Sequence, residues 1–273
     1  MPLNDLDDLL LDERAGVLTV TLNRPERRNA LSATLINSLQ QLATYARQNH
    51  GTLRAVVLRG AGGVFCAGGD IKDFRSVSQN GVSDARQIAA HNRTYGTLLS
   101  ALDRLPQVVI AAVEGAAMGG GVGLASIADI TLATADARFS LTETTLGLPP
   151  AQISPFVVAR VGAHQARRLM LTAARFDAAT AAALGLVDEV LADSIALDRA
   201  IERVLAQVLR CAPGANAMTK NLVHAAATTP LDELLDTAAA QFAAAMLGAE
   251  ARDGVSAFIS KGHPSWVPQD GAR

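Results

Sequence analysis

The stretch that decides the fold is VVIAAVEGAAMGGGVGLASIADITLATA, which occupies residues 108–135. It is the longest apolar tract in the chain, but Glu114, Asp129 and many glycines interrupt it, so it does not predict a membrane-spanning helix. Its two apolar ends have the length of buried strands, and the glycines between them favour a turn followed by a helix. The tract therefore predicts strand, turn, helix and strand, which is typical of an α/β core.

The N-terminal residues predict two strands and a helix. Apolar residues in 9–11 and 17–22 predict a strand pair, which ends before Pro25 because proline cannot donate to a strand ladder. From Ser32, a predicted N-cap, leucines and alanines recur at three- and four-residue steps to about Asn49. This spacing predicts an amphipathic helix.

The segment between this helix and the decisive stretch continues the alternation of strands and helices. A continuous apolar run predicts a buried strand at 54–59. A second helix is predicted from near Ser83 to Pro106, and its apolar face carries Ile88, Tyr95, Leu98, Leu99, Leu102 and Leu105. Alternating strands and helices predict an α/β core with largely parallel strand pairing.

After about Ser154 the sequence becomes rich in alanine and mostly helical in pattern. A short strand is predicted at 186–190, and Pro213, Pro230 and Gly248 separate helices of ordinary length. We therefore expect residues 1–195 to form the core and residues 196–273 to form a helical C-terminal region.

Composition restricts the classes of partner. The 273 residues are 49% hydrophobic and 18% charged, and the net charge of -2 gives no reason to expect nucleic acid or an anionic membrane as a partner. Cys66 and Cys211 form no disulfide framework or zinc motif, so no metal is expected. The acidic N-terminus lacks the pattern of a signal peptide, and a cytoplasmic location is expected.

Two glycine-containing segments follow predicted strands: FCAGGDIK at 65–72 and EGAAMGGGVG at 114–123. Each could be a tight turn that binds no ligand, since turn glycines are common. However, each glycine in a helix costs about 1 kcal/mol relative to alanine, so a triple glycine at a helix start needs a compensating role. Free N–H groups there are suited to stabilising a developing oxyanion. Neither segment has the glycine spacing of a nucleotide-phosphate site.

Several motifs in order resemble the enoyl-CoA hydratase/isomerase (crotonase) superfamily over essentially the whole chain. They are LNRPE (22–26), NAL (29–31), AGGDI (67–71), GGG (119–121), ARF (137–139), Glu143, LG (146–147), RRLMLT (167–172), AALGLVD (182–188) and FISK (258–261). The resemblance implies a crotonase-type spiral of ββα units with a C-terminal helical trimerisation region. It also implies a homotrimer or a hexamer built as a dimer of trimers, with the coenzyme A (CoA) site and the active site in residues 1–195.

The resemblance implies a role for particular residues. The N–H groups of Gly69 and Gly120 correspond to the oxyanion hole for a thioester enolate, and Glu143 corresponds to the acid/base. The substrate and CoA contacts that it implies, together with two basic candidates for phosphate, are Arg24, Ala67, Gly68, Asp70, Ile71, Lys72, Gly119, Phe258 and Lys261. Phe258 and Lys261 would reach the site from a neighbouring subunit. No cofactor is expected, because coenzyme A is part of the acyl-CoA substrate.

The acid/base residues leave the reaction open. Hydratases of this superfamily typically have two glutamates, and Gly123 stands where the first is expected. With Glu143 alone, the chain could hydrate a 2-enoyl-CoA, as a lyase, or could move a double bond as a Δ3,Δ2-enoyl-CoA isomerase. A crotonase-like acyl-CoA or RNA-binding protein without turnover is the alternative of another class. We favour hydration.

Three segments resemble hydratases of branched, carboxylated enoyl-CoAs. Residues 148–158 and 171–177 are similar to 3-methylglutaconyl-CoA hydratase and isohexenylglutaconyl-CoA hydratase, and 211–216 is similar to the latter. The resemblance implies a role in fatty acid metabolism and, more narrowly, in acyclic terpene catabolism. Arg75, Arg93 and Thr142 are candidate partners for a second substrate carboxylate.

Overall fold

The computed structural model describes residues 6–70 and 84–268, and within these ranges the main sheet has six strands in the order β1-β2-β3-β4-β6-β9. β1 pairs antiparallel with β2, and the other neighbours pair in parallel. Largely parallel pairing is therefore confirmed. The strands are β1 (Leu9–Arg14), β2 (Val17–Leu22), β3 (Ala55–Gly60), β4 (Val108–Val113), β5 (Ala116–Met118), β6 (Ile130–Thr134), β7 (Arg138–Ser140), β8 (Phe176–Asp177) and β9 (Glu189–Leu191).

Helices connect and cover these strands. They are α1 (Ala33–Gln48), α2 (Ala85–Asp103), α3 (Gly120–Ser126), α4 (Ser154–Thr172, interrupted at Gly162), α5 (Ala178–Ala183), α6 (Ser194–Arg210), α7 (Pro213–Ala226), α8 (Leu231–Met246) and α9 (Ala249–Ile259). The side chain of Ser32 accepts a hydrogen bond from the Leu35 N–H at 3.1 Å, so the predicted N-cap of α1 is confirmed. Asp84 caps α2 in the same way.

A second, smaller sheet was not predicted from the sequence. β7 pairs in parallel with β5 and antiparallel with β8. Each of these strands has only two or three residues, which is too short to show a period of two. This sheet carries the chain into the glycine turn at 119–121, so it positions the candidate site.

The main sheet buries apolar side chains on both faces, as expected for parallel strands. One core contains Leu35, Leu39 and Leu42 of α1 with Leu98 and Leu99 of α2. The other core lies beneath α6 and contains Val57, Ile110, Leu132, Leu197, Ile201 and Val204. The predicted apolar face of α2 is correct from Tyr95 onward, whereas Ile88 is 41% exposed.

The C-terminal helices begin where the sequence predicted: Pro213 opens α7, and Pro230 and Gly248 are the N-caps of α8 and α9. α7 docks on the core through Lys220, whose Nζ donates to Asp129 Oδ2 at 2.7 Å. The expected division at 195/196 falls inside α6, and it stays a prediction. No helix in the described ranges has both the length and the apolar character needed to cross a membrane.

Candidate active site

The segment 65–70, which carries Gly69, bonds both to β5 and to the residues before α1. The carbonyl of Cys66 accepts a hydrogen bond from the Met118 N–H of β5 at 2.9 Å. On the other side, the Leu31 N–H donates to the carbonyl of Gly68 at 2.8 Å. The segment is therefore held between β5 on one side and the residues before α1 on the other.

Gly119 forms the turn from β5 into α3, with φ of 48° and ψ of -113°. Residues with a side chain rarely adopt this conformation. The Gly119 N–H donates to the carbonyl of Ser140 at 2.8 Å, which fixes the turn against β7. A Cβ atom at this position would lie 2.8 Å from Oε1 of Glu143. The predicted acid/base carboxylate thus packs directly on the glycine turn.

Leu31 brings the two predicted oxyanion glycines together. Its backbone forms a parallel bridge with Gly69, and its Cδ1 lies 2.6 Å from where a Cβ atom of Gly120 would be. Among the described residues, neither the Gly69 N–H nor the Gly120 N–H donates a hydrogen bond to the protein. Two neighbouring amide groups are therefore free to donate to a ligand oxygen, as an oxyanion hole requires.

Glu143 opens a 3-10 helix, Glu143–Leu146, that follows β7. The helix is tied to α4 because the Thr144 hydroxyl donates to the carbonyl of Met170 at 2.9 Å. Glu143 is partly buried, and its Oε2 has no hydrogen-bond partner in the part of the chain that the structure describes. Burial raises the pKa of Glu143, because water no longer solvates the charged form fully. A carboxylate with a raised pKa is a stronger proton acceptor than a solvated one.

No carboxylate stands at Gly123, and two side chains occupy the adjacent space. A Cβ atom at Gly123 would lie 2.5 Å from Cγ2 of Ile153 and 3.3 Å from the Tyr95 hydroxyl. That hydroxyl donates to the carbonyl of Gly120. The place at which a second glutamate was expected is therefore enclosed by an isoleucine and a tyrosine.

Arg24 and Asp70, both predicted to contact the substrate, contact each other. Nη2 of Arg24 donates to Oδ2 of Asp70 at 3.0 Å, and its Nε lies 3.3 Å from Oδ2 of Asp8. The Arg24 side chain is only 15% exposed. These ion pairs and a hydrogen bond from Nη1 to the Ala30 carbonyl hold the segment before α1, and a role toward CoA phosphate stays a proposal.

The other predicted binding residues fall into three groups. Ala67 and Gly68 lie in the site segment, where the Ala67 N–H donates to the Arg28 carbonyl at 2.9 Å and Gly68 has φ of 92°. Phe258 is 85% exposed and Lys261 is exposed, on and after α9, which packs mainly on α8. The third group, Ile71, Lys72 and Arg75, lies outside the described residues.

Of the remaining candidates for a second carboxylate, Arg93 lies on the exposed side of α2 and donates from Nη1 to Oγ1 of Thr97 at 3.2 Å. Thr142 is the partly buried residue immediately before Glu143, at the N-cap of the 3-10 helix. The structure therefore places Thr142 beside the acid/base candidate and Arg93 farther out on α2.

Two residues of the site gained no role from the sequence. Tyr95 was assigned to the apolar face of α2, although a buried tyrosine hydroxyl needs a polar partner and this need was a usable signal. Asn29 is fully buried, and its Nδ2 donates to the carbonyls of Ala61 and Val64 at 2.9 Å and 2.6 Å. Asn29 thus ties the segment before α1 to the loop that leads into 65–70.

Comparison with known proteins identifies the family. A sequence profile described as "Enoyl-CoA hydratase/isomerase" matches residues 12–269. The chain belongs to the enoyl-CoA hydratase/isomerase family.

Several relatives match along most of their length. The solved structure of Pseudomonas aeruginosa AtuE is 49% identical with a TM-score of 0.93, and the match covers 96% of this chain and all 100% of that one. "Enoyl-CoA hydratase ACTT6" of Alternaria alternata is 36% identical over 90% of this chain and 79% of the relative. "1,2-epoxyphenylacetyl-CoA isomerase" of Escherichia coli is 34% identical over 96% of this chain and 99% of the relative.

These findings confirm the predicted crotonase-type α/β fold with C-terminal helices, and they show that the chain is an enzyme of the enoyl-CoA hydratase/isomerase family. They support activity on enoyl-CoA thioesters, and with it an acyl-CoA substrate. The alternative of a binding protein without turnover is therefore not supported.

Proposed function

We propose that this enzyme is a hydro-lyase that adds water to a 2-enoyl-CoA, with Gly69 and Gly120 as the oxyanion hole and Glu143 as the acid/base. The observation that carries the proposal is the contact between the desolvated carboxylate of Glu143 and the Gly119 turn, next to two unused amide N–H groups. A proton-transfer group and an oxyanion hole are the two devices that addition to an α,β-unsaturated thioester requires.

The proposed hydration passes through a thioester enolate. The thioester carbonyl oxygen accepts hydrogen bonds from Gly69 and Gly120, which draws electrons out of the C2=C3 bond. A water oxygen bonds to C3 while Glu143 takes one of its protons, and the electron pair moves to the carbonyl as an enolate. Glu143 then gives a proton to C2, and the enolate collapses to the 3-hydroxyacyl-CoA. No cofactor enters these steps, because coenzyme A arrives with the substrate.

We propose a branched, carboxylated acyl group as the preferred substrate, which would place the enzyme in acyclic terpene catabolism. The support is the likeness of 148–158, 171–177 and 211–216 to hydratases of such substrates. Ile153 lies in the first of these segments and forms an apolar wall against Gly123. Thr142 and Arg93 are the proposed partners for the substrate carboxylate among the described residues.

Isomerisation is the second candidate, because two observations favour it. With no carboxylate at position 123, Glu143 is the carboxylate that contacts the glycine turn, and a single carboxylate is sufficient to move a proton between C2 and C4. In addition, one relative that is 34% identical is named an isomerase. In this reaction Glu143 takes a proton from a 3-enoyl-CoA or 2-enoyl-CoA and returns it at the other end.

A panel of thioesters tests the reaction and the acyl group together. The enzyme is incubated with crotonyl-CoA, 3-methylglutaconyl-CoA, isohexenylglutaconyl-CoA and a 3-enoyl-CoA, and the mass of each product is measured by mass spectrometry. Hydration adds the mass of one water, whereas isomerisation adds nothing. We expect hydration, fastest on the carboxylated substrates. Mass-neutral conversion of the 3-enoyl-CoA, without hydration of any 2-enoyl-CoA, would contradict the hydratase proposal.

We also propose that the chain forms a homotrimer or a hexamer in the cytoplasm. None of the described side chains of α7 and α8 is buried in the single chain. These helices and α9 instead expose many large apolar residues, a pattern that marks an interaction surface. The exposed residues are Val223, Leu231, Leu235, Phe242, Met246, Leu247, Val255, Phe258 and Ile259. In such an assembly Phe258 and Lys261 would reach a neighbouring CoA site.

A further inference from the structure

The turn Gly119–Gly120 is held at both ends. At the first end, the Gly119 N–H donates to the Ser140 carbonyl at 2.8 Å. At the second end, the carbonyl of Gly120 accepts a hydrogen bond from the Tyr95 hydroxyl. The Gly119 carbonyl, in the same peptide unit as the Gly120 N–H, accepts from the Val122 and Gly123 N–H groups at 2.9 Å and 3.2 Å. The Gly120 carbonyl belongs to the next peptide unit, so its bond to Tyr95 limits rotation at the Gly120 Cα, where glycine has wide freedom.

The Tyr95 hydroxyl lies against the side of α3 that carries Gly120 and Gly123. It is 3.3 Å from where a Cβ atom would stand at Gly120 and also 3.3 Å from where one would stand at Gly123. A Cβ atom would collide first with Leu31 at Gly120 and with Ile153 at Gly123, and it would also be in tight contact with the Tyr95 hydroxyl at both positions. Glycine at position 123 is therefore compatible with the observed positions of Ile153 and the Tyr95 hydroxyl.

Two residues of α2 near Tyr95, Asn92 and Gly96, contact Gln152 and so help to hold Tyr95 in place. The next residue, Gly96, lies against Gln152: a Cβ atom at Gly96 would overlap Oε1 of Gln152. Nε2 of Gln152 in turn donates to Oδ1 of Asn92 at 2.7 Å. Because Ile153 follows Gln152 directly, the same contacts fix both groups that enclose Gly123.

The Tyr95 hydroxyl is a permanent donor at neutral pH. Burial raises the pKa of Tyr95 well above its ordinary value, and the nearby Cys66 and Glu143 raise it further. A phenol that keeps its proton can hold a carbonyl but cannot serve as a general base. Abstraction of a proton from the attacking water is therefore left to Glu143.

We propose that Tyr95 is a positioning residue of the oxyanion hole: its hydroxyl holds the Gly120 carbonyl and thereby the direction of the Gly120 N–H, in the space that Gly123 leaves open. The proposal rests on the proposed function of Gly120 and adds a residue to it. It makes the site one that uses one carboxylate and one phenol instead of two carboxylates.

The test is Tyr95→Phe, which removes only the hydroxyl and keeps the ring. The matched control is Tyr45→Phe, because Tyr45 is the other tyrosine of the chain and its hydroxyl donates to Oε2 of Glu13 at 2.8 Å, near the protein surface. We expect kcat of Tyr95→Phe on the best substrate of the panel to fall about three- to tenfold with little change in KM, as for loss of one hydrogen bond. Tyr45→Phe should keep the wild-type kcat.

A spectroscopic measurement separates positioning from a loss of stability. The infrared carbonyl frequency of bound acetyl-CoA, labelled with carbon-13 at the carbonyl, reports how strongly the oxyanion hole polarises the thioester. We expect a smaller downward shift in Tyr95→Phe than in the wild type and in Tyr45→Phe. An unchanged kcat, or an unchanged carbonyl shift in a folded Tyr95→Phe protein, would overturn the proposal.

Failure of the Tyr95 proposal can be distinguished from failure of the proposed function. If Glu143→Gln is inactive while Tyr95→Phe has wild-type kcat and carbonyl shift, only the role of Tyr95 is wrong. If Glu143→Gln is fully active, the proposed function itself is wrong.

Discussion

At the scale of single residues, Gly119 combines an unusual backbone conformation with a direct contact to the proposed acid/base, Glu143. Its φ of 48° and ψ of -113° admit little besides glycine, and the Glu143 carboxylate occupies the space beside it. The residue therefore has two independent reasons to be glycine, one conformational and one steric. A substitution there acts on the fold and on the acid/base group together.

Gly119→Ala is expected to lower kcat/KM at least about 100-fold, because the new methyl group displaces Oε1 of Glu143, and misplacement by about 1 Å can cost that much. It should also lower the free energy of unfolding by about 1–3 kcal/mol. Gly162→Ala is the control, since Gly162 has φ of 75° and ψ of 157° with open space around it. It should lose similar stability and keep its kcat/KM. Equal activity losses in both variants would contradict the steric argument.

The raised pKa of Glu143 predicts a pH dependence of activity. The proposed base must be a carboxylate, so kcat/KM should fall as the pH falls through its pKa. Because burial moves that pKa upward, the acid limb should lie above about 4.3, the usual value for glutamate. A kcat/KM profile on the best substrate measures this directly. An acid limb at or below the ordinary glutamate value would contradict the proposed role of burial.

The same pKa shift has a stability consequence with a definite sign. A group whose pKa is raised by folding favours the folded state at low pH, and this contribution is lost as the pH rises through the raised pKa. Glu143→Gln removes the titration. Its unfolding free energy relative to the wild type should therefore increase as the pH rises from the ordinary glutamate pKa, about 4.3, through the raised pKa of Glu143. Urea unfolding at several pH values supplies the measurement.

At the scale of elements, the Asn29 side chain ties the segment before α1 to the loop after β3 that leads into the site. Asn29 has φ of 55°, is fully buried, and bonds the carbonyls of Ala61 and Val64. Its Oδ1 also accepts from the Arg24 N–H at 2.9 Å. These contacts align the segment before α1 with the segment 65–70, which carries Gly69.

Asn29→Ala is expected to lower the unfolding free energy by about 2–4 kcal/mol, because buried carbonyls lose their donor and a side chain remains at positive φ. Asn29→Gly removes the backbone strain and should recover about 1 kcal/mol of this loss. Asn49→Ala, which removes a bond to the Tyr45 carbonyl at the end of α1, is the control with an expected loss of about 1 kcal/mol. A loss for Asn29→Ala no larger than this control would show that the loop has no such dependence.

Local signals were sufficient to predict most elements of the core. The N-cap at Ser32 and the buried strand β4 at Val108–Val113 depend on neighbouring residues, so the sequence specified both correctly. The position of Tyr95 shows the limit. Helical spacing placed it on the inward face of α2, but not against the Gly120 carbonyl, because that neighbour is set by how α2 packs on α3. The contact of Glu143 with Gly119 likewise needed either the structure or the family resemblance.

At the scale of the whole molecule, the C-terminal helices have an apolar surface that the single chain leaves exposed. Phe242 is 69% exposed and Leu247 is 80% exposed. Association with further copies of the chain would bury such residues, whereas water around them costs free energy. The alanine-rich pattern after Ser154 predicted helices, but it gave no information on which helix face meets a neighbour.

Phe242→Glu is expected to shift the assembly toward smaller species, since a buried carboxylate without a partner strongly opposes association. Sedimentation velocity on the purified variant measures this change. Leu10→Glu is the control, because Leu10 is 55% exposed on β1, outside the C-terminal helices. It should sediment like the wild type. A wild-type sedimentation coefficient for Phe242→Glu would contradict a role for this surface in assembly.

The most direct measurement of the central claim is kcat for Glu143→Gln on the substrate that the wild type hydrates fastest. The substitution keeps the size of the side chain and removes its ability to exchange a proton. We expect a loss of about 10²- to 10⁴-fold, the usual contribution of general acid–base catalysis. Glu202→Gln, at an exposed position of α6, should retain activity within about twofold of the wild type, as expected for a surface change. Full activity of Glu143→Gln would contradict the account.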